Sequence, residues 1–256
     1  MHGINCLGEI IHNKQVIESL ESKGLRTINT LEDAKGKVII RAHGTTKENY
    51  NYARMHNIEL IDLTCPNVLK IHKQIEDFTQ KEYFIFLLGV KNHPETIGNY
   101  SFCNENSFII ENTSDLLPAI NNFLDSGLKN ALIISQTTFS VSLFDEITKN
   151  ILEKLEKDFN IKVEKSICNA TNLRQQEAYE ISLKSDLIII IGGKNSSNTK
   201  KLYEVSSKNC KNVIHIETKN DLDLNFIKNF ENIGIIAGAS TPQNIITEIF
   251  ETINSY

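Results

Sequence analysis

Nothing in these 256 residues reads as a membrane span, a secretory leader or a nucleic-acid arm. No apolar run approaches the roughly 18 residues that suggest a spanning helix, and Met1-His2-Gly3-Ile4-Asn5 lacks a basic stretch followed by an apolar one. Basic residues are not in excess: 27 Lys and Arg stand against 32 Asp and Glu, a net charge of -5. That balance argues against a phosphate-backbone binder and leaves small anions, held by local donors, as the open class of ligand. The five cysteines, Cys6, Cys65, Cys103, Cys168 and Cys210, are odd in number and show no CxxC spacing, which excludes a disulfide scaffold and a zinc finger and suits a reducing compartment. Metal or cluster ligation by scattered cysteines stays open. A flavin or nicotinamide fingerprint and a low-complexity linker are missing as well. The expected protein is cytoplasmic and globular, without a nucleic-acid or membrane partner.

What is present is one pattern repeated: a short β-rich run, a polar tip, then a helix-like segment. Val38-Ile39-Ile40 ends in Arg41-Ala42-His43-Gly44-Thr45, and Ile58 to Leu63 ends in Thr64-Cys65-Pro66. Tyr83 to Val90 ends in Lys91-Asn92-His93-Pro94-Glu95, and Ala131 to Ile134 ends in Ser135-Gln136-Thr137-Thr138. Ile188 to Ile191 ends in Gly192-Gly193-Lys194-Asn195-Ser196-Ser197-Asn198, and Ile233 to Ile236 ends in Ala237-Gly238-Ala239-Ser240-Thr241-Pro242. Helices are expected over Ser140 to Phe159, Leu173 to Lys184, Asn198 to Lys208 and Pro242 to Ile253, the last with Pro in its first turn. Strands alternating with helices predict parallel sheets with ligands outside the strands' carboxyl ends. Weak breaks near Cys65-Pro66 and Lys162 to Cys168 divide the chain into lobes over 1–65, 66–164 and 165–256. The expected fold is therefore three similar small α/β lobes with parallel-rich sheets around a central cleft.

The polar tips set the candidate chemistry. A strand that stops at Gly192-Gly193 and resumes as helix leaves free backbone N–H groups, and Ser196, Ser197 and Asn198 add side-chain donors, so this loop reads as an anion cradle. A plain strand-to-helix turn with Ser or Asn as N-cap is the other reading. His12, His43 and His93 each follow an apolar run and could reach one anion, whereas His56, His72 and His215 read as structural. Glu95, beside His93 at a strand end, could be a general acid or a simple helix-start carboxylate. Thr137 is either a hydrogen-bonding relay or a cap. Cys65 and Cys168 sit at junctions, which suits ligation better than packing.

Eight ordered blocks carry a resemblance. Gly8-Glu9-Ile10-Ile11-His12-Asn13, Arg41-Ala42-His43-Gly44, Asp62-Leu63-Thr64-Cys65-Pro66, His93-Pro94-Glu95, Ser135-Gln136-Thr137-Thr138, Ile167-Cys168-Asn169-Ala170-Thr171, Lys194-Asn195-Ser196-Ser197-Asn198 and Ala237-Gly238-Ala239-Ser240 resemble the 4-hydroxy-3-methylbut-2-enyl diphosphate reductase family. The resemblance implies a [4Fe-4S] enzyme of three α/β lobes acting last in the non-mevalonate isoprenoid route. It implies Cys65 and Cys168 as cluster ligands and His12, His43, His93, Ser196, Ser197, Asn198 and Ser240 as diphosphate ligands. Thr137 then lies near the allylic end, Glu95 is the proton donor, and ferredoxin or flavodoxin supplies electrons.

One departure goes with the match. The family opens its first lobe with Gly-Phe-Cys-x-Gly-Val, whose cysteine is the third cluster ligand, and here only Met1 to Leu7 precede the first block. The first lobe is thus expected to be incomplete and the third ligand absent. Cys6 is a poor substitute, since six extended residues separate it from His12 by about 20 Å. An inactive remnant or a cluster-free diphosphate binder is the alternative.

Overall fold

The run Leu187-Ile188-Ile189-Ile190-Ile191 is wholly buried because both faces of the strand meet helices. Leu187, Ile189 and Ile191 pack with Ile245 and Ile249 of one helix, while Ile188 and Ile190 pack with Ala178 and Leu202 of two others. Such doubly covered strands lose the alternation of polar and apolar residues, and each buried Ile or Leu contributes about 1.5–3 kcal/mol. The computed structural model describes residues 3–155 and 158–255.

In chain order the elements are β1 (Ile4–Leu7), α1 (Lys14–Glu21), β2 (Leu25–Ile28), β3 (Val38–Ile40), α2 (Lys47–Met55) and β4 (Leu60–Asp62). Next come α3 (Pro66–Thr79), β5 (Phe84–Leu88), α4 (Pro94–Tyr100), β6 (Ser107–Ile110), α5 (Leu116–Asp125), β7 (Asn130–Ser135), α6 (Val141–Leu155) and β8 (Asn160–Glu164). The remainder comprises α7 (Asn169–Ser182), β9 (Leu187–Ile191), α8 (Ser197–Ser207), β10 (Val213–Ile216), α9 (Leu224–Ile227), β11 (Ile233–Ala237) and α10 (Gln243–Asn254). Three sheets result, ordered β2-β1-β3-β4, β6-β5-β7-β8 and β10-β9-β11, and every pairing in them is parallel.

The chain divides into two compact units. The first holds Met1–Ile10 and Leu20–Cys168, with the first two sheets; the second holds Ile11–Ser19 and Asn169–Tyr256, with the third. In the first unit the middle sheet is the best buried. Phe84, Phe86 and Ile133 face Phe123, Phe144 and Ile151, and Ile85, Leu87, Leu132 and Ile134 face Ile71 and Ile75. No helix among the described residues is long and apolar enough to cross a membrane.

The expected α/β architecture with parallel sheets is present, with four adjustments. The first sheet has its four strands in the same order as the second, and it is the third that has three. Cys6 lies inside β1, opposite Thr27 and Ile39, so Ile4–Leu7 contributes a central strand to the first sheet. The helix expected over Ser140 to Phe159 ends at Leu155, positions 156 and 157 of that span lie outside the described residues, and Phe159 instead packs edge-on against Phe123. Pro242 is the N-cap of α10 rather than a residue of its first turn, because its ψ of 144° is extended.

Candidate active site

In the first unit the tips of β5 and β7 bring together two residues 42 positions apart. The sequence Asn92-His93-Pro94-Glu95 starts α4: His93 is the N-cap, its Nδ1 accepts from the Glu95 backbone N–H at 3.1 Å, and Pro94 follows at the first helical position. That geometry turns Glu95 inward, where it is 1% exposed. Its Oε1 accepts from the Thr137 backbone N–H at 2.7 Å and its Oε2 from the Thr137 hydroxyl at 2.8 Å. Burial pushes the carboxyl up to about 7, against the opposing pull of those two hydrogen bonds. A carboxyl that titrates there can give up a proton at neutral pH, as a general acid must. The rings of His43 and His93 meet edge to face with centroids 5.2 Å apart.

Sequence reasoning gave Gln136 no part in this arrangement. Its Oε1 accepts from the Val90 N–H at 3.2 Å and from the Thr96 hydroxyl at 3.3 Å, which ties the tip of β7 to that of β5 and to α4. Its position inside Ser135-Gln136-Thr137-Thr138 was the available signal. His72, read as structural, stacks on Phe102 at 4.3 Å, and burial holds its imidazole down to about 4, so it is neutral at physiological pH. His56 stacks on Tyr52 at 4.0 Å.

The five thiols separate into two kinds. Cys65 is the N-cap of α3 and donates its N–H to the Ala42 carbonyl at 3.0 Å; Cys168 immediately precedes α7 and donates its N–H to Thr137 O at 2.9 Å. Both are partly exposed, and the Asn67 side-chain amide, in the first turn of α3, donates to the Cys168 sulfur at 3.6 Å. Partly exposed sulfurs at helix starts are open to a metal, so these two are the candidate ligands. The others are packing thiols. Cys6 is fully buried, with its thiol pushed up by burial against a weaker downward pull from Arg41. Cys103 reaches about 12 through burial, and Cys210 donates to the carbonyls of Ser185 and Asn212. Iron-sulfur clusters are typically held by four protein ligands. The described residues supply two suitable thiols, and they do not by themselves fit a complete cluster site.

The second unit holds the cradle. β9 ends at Ile191, the following Gly192 has a φ of 155° that places it outside the range of ordinary side chains, and Ser196 caps α8 by accepting from the Thr199 N–H at 3.3 Å. A Cβ at Gly193 would overlap the His12 carbonyl oxygen, so glycine there lets the His12 loop lie directly on the cradle backbone. One carbonyl joins the loops after β9 and β11: Ile191 O accepts from Gly238 N–H at 2.8 Å and from the Thr241 hydroxyl at 2.9 Å. His215, also read as structural, holds the same loop through its Nε2 at 2.9 Å from Gly192 O.

Within this loop pair several buried polar atoms have no hydrogen-bond partner: both side-chain amide atoms of Asn198, the Thr199 hydroxyl and the Ser240 hydroxyl. Leaving such a group unsatisfied costs about 1–3 kcal/mol. Donors kept open at the start of a helix are what an anion requires, which favours the cradle over the plain turn. Ser196 is engaged as a cap, while Ser197 and His12 are half-buried beside it in sequence and space.

Residues 1–254 match the LytB protein family. The chain belongs to that family. Among its relatives, the 4-hydroxy-3-methylbut-2-enyl diphosphate reductase of Alkaliphilus oremlandii is 40% identical over 256 residues, covering 98% of this chain and 88% of that protein. The reductase of the same name from Clostridioides difficile is 40% identical over 252 residues, covering 96% and 86%. Two solved structures share the fold. The E-1-hydroxy-2-methyl-but-2-enyl-4-diphosphate reductase of Plasmodium falciparum superposes with a TM-score of 0.87 at 30% identity, covering 98% of this chain and 78% of that one. An (E)-4-hydroxy-3-methyl-but-2-enyl diphosphate reductase, described as the terminal enzyme of the non-mevalonate pathway, gives 0.68 at 35% identity, covering 100% and 89%. This LytB-family chain is therefore an oxidoreductase of a reductase family.

Proposed function

We propose that the chain carries out the reductive dehydroxylation of 4-hydroxy-3-methylbut-2-enyl diphosphate to isopentenyl and dimethylallyl diphosphate. The observation that carries this reading is Glu95: a buried carboxyl, titrating near 7, clasped by Thr137 beside His93. In the overall change the allylic C–O bond breaks, one new C–H bond forms, and two electrons and two protons are consumed as water leaves. Glu95 delivers the proton to the departing oxygen, and Thr137 orients the carboxyl through its two bonds to it. The diphosphate is bound by His12, Ser196, Ser197, Asn198 and Ser240, with His43 and His93 as further imidazole donors that offset its charge.

Cys65 and Cys168 are two ligands of the family's iron-sulfur cluster, which the described thiols leave short of donors. The side chains described hold no two-electron reductant, so the electrons come from a small carrier such as ferredoxin or flavodoxin. Three lobes, over 1–65, 66–164 and 165–256, belong to the same proposal. Five free thiols are in keeping with a cytoplasmic, reducing setting.

The test begins with calorimetry on the purified chain. The substrate diphosphate is expected to bind with 1:1 stoichiometry, and an absence of binding would overturn the proposal. After anaerobic reconstitution with iron and sulfide, a dithionite-linked assay reports reduction. Binding without reduction would locate the fault in the cluster's donors.

A further inference from the structure

Two helices of the first unit pack together over a polar spot that neither the buried acid nor the cradle uses. Val68, Ile71, His72 and Ile75 form the buried face of α3, so a histidine interrupts an apolar stripe at helical spacing. The buried face of α4 is Glu95, Thr96, Gly98 and Asn99. Asn99 is fully buried and His72 is 4% exposed. Phe102, stacked on the imidazole at 4.3 Å, and Gly44, where a Cβ would meet His72 Cε1 at 3.0 Å, close the ring in.

The polar atoms at this spot are incomplete. His72 Nε2 and both side-chain amide atoms of Asn99 are buried without a hydrogen-bond partner. The two residues are neighbours all the same: burial holds the His72 imidazole down to about 4, while the Asp62 charge and the Asn99 amide pull it less strongly the other way. Gly98 is part of the arrangement. A Cβ there would stand 3.7 Å from His72 Nε2 and 3.2 Å from the Thr45 carbonyl oxygen, so a residue unfavourable inside a helix keeps a side chain out from between them.

Native proteins rarely leave three buried polar atoms unanswered, and the chemistry of these three selects what can answer them. Asn99 Nδ2 is a donor and needs an acceptor, which a metal cation cannot be. Asn99 Oδ1 is an acceptor and needs a donor, which a bare anion cannot be, and the neighbouring Asp62 charge disfavours an anion further. One small neutral molecule does both. We propose that α3 and α4 enclose a structural water bound by Asn99 Nδ2, Asn99 Oδ1 and His72 Nε2. The water accepts from Nδ2 and donates its two protons to Oδ1 and Nε2, which places the imidazole's own proton on Nδ1. Three partners are what a buried water typically has. The joint ties α3, which Cys65 caps, to α4, which His93 caps. It depends on neither the diphosphate nor the iron-sulfur reading.

The test uses the full chain. In isotopically labelled protein the Asn99 side-chain amide should show NOE and ROE cross-peaks to water, with the signs of a water that stays bound longer than the molecule takes to tumble. A crystal structure should place one solvent oxygen within hydrogen-bond distance of Nδ2, Oδ1 and Nε2. A direct Asn99–His72 hydrogen bond with no solvent oxygen between them would overturn the proposal, and so would an ion at that position. A double-mutant cycle measures the joint independently. Asn99→Leu and His72→Phe each leave the opposite side unanswered, so each should lower the folding equilibrium constant by roughly tenfold or more. The double variant removes every polar atom that needs the water, and its loss should be at least roughly tenfold smaller than the product of the single losses. Losses that simply multiply would overturn the proposal. Where a single variant does not fold, the spectra and crystal structure of the unaltered chain decide.

Discussion

The Glu95 pocket and the Gly192 cradle lie at the ends of similar parallel strands, yet they manage polar groups in opposite ways. Both Glu95 oxygens are partnered, each by a different Thr137 donor, and the carboxyl is sealed. In the cradle, Asn198, Thr199 and Ser240 present buried atoms without partners. On the proposed reading, the group that changes its charge is held fully assembled, and the groups that grip a charged ligand are left incomplete until it arrives. Substitutions in the first pocket should thus disturb chemistry and pH dependence, and those in the second should disturb affinity while sparing the fold.

The largest expected effect breaks the first half of this contrast. Glu95→Gln keeps the shape and an acceptor for the Thr137 N–H but cannot supply a proton, so turnover in a cluster-loaded preparation should fall by roughly a hundredfold or more with substrate affinity retained. Steady-state kinetics beside calorimetry would show this, and near-normal turnover would transfer the proton to Thr137 or a bound water. The same variant sharpens the electrostatic point. The folded pocket raises the carboxyl from 4.5 to about 7, so the native state holds its proton more tightly than the unfolded chain. The contribution of Glu95 to wild-type stability should be full below pH 4.5 and be lost as pH rises to 7, by up to about 3 kcal/mol at roughly 1.4 kcal/mol per unit, whereas His72, held down to about 4, contributes in the opposite direction. Glu95→Gln should flatten that fall in urea titrations at pH 5 and pH 8, and parallel curves for the two proteins would refute the assignment.

The cradle gives the next effect. Asn198→Ala should weaken binding of the diphosphate by about 1.5–3 kcal/mol, as for a lost hydrogen bond to a charged group, without lowering the melting temperature, since the removed atoms had no protein partner. Unchanged affinity would remove Asn198 from the site. Ser196→Ala is expected to differ from Asn198→Ala in lowering stability as well as affinity. Its hydroxyl oxygen caps α8, so thermal stability should drop by about 1 kcal/mol. A variant as stable as wild type would show that this cap contributes nothing.

Much of the scaffold was legible because long apolar runs reported doubly covered strands: β5, β7 and β9 sit where Tyr83 to Val90, Ala131 to Ile134 and Ile188 to Ile191 placed them. The short edge strands were not. Leu25-Arg26-Thr27-Ile28 in β2 is half exposed and mixes polar with apolar residues, so its pairing with β1 has no periodic signature. At the site, the tips identified His93, Glu95 and Thr137 as polar groups at strand ends, but the clasp between residues 42 apart follows only from the pairing of β5 with β7. The roles of Gln136 and His215 were hidden for a related reason: both bind backbone atoms of neighbouring tips, and sequence carries no mark of which carbonyl or N–H a side chain will meet.

The sealing of Glu95 bears on the rhythm of the catalytic cycle as well as on its acidity. A carboxyl with 1% exposure that has surrendered its proton can be recharged from bulk water only through a neighbour or an opening of the pocket, and the Thr137 hydroxyl is the group in contact with it. Each turnover then contains a reloading interval after product forms. In deuterated solvent at saturating substrate that interval lengthens, so the enzyme should slow in steady state.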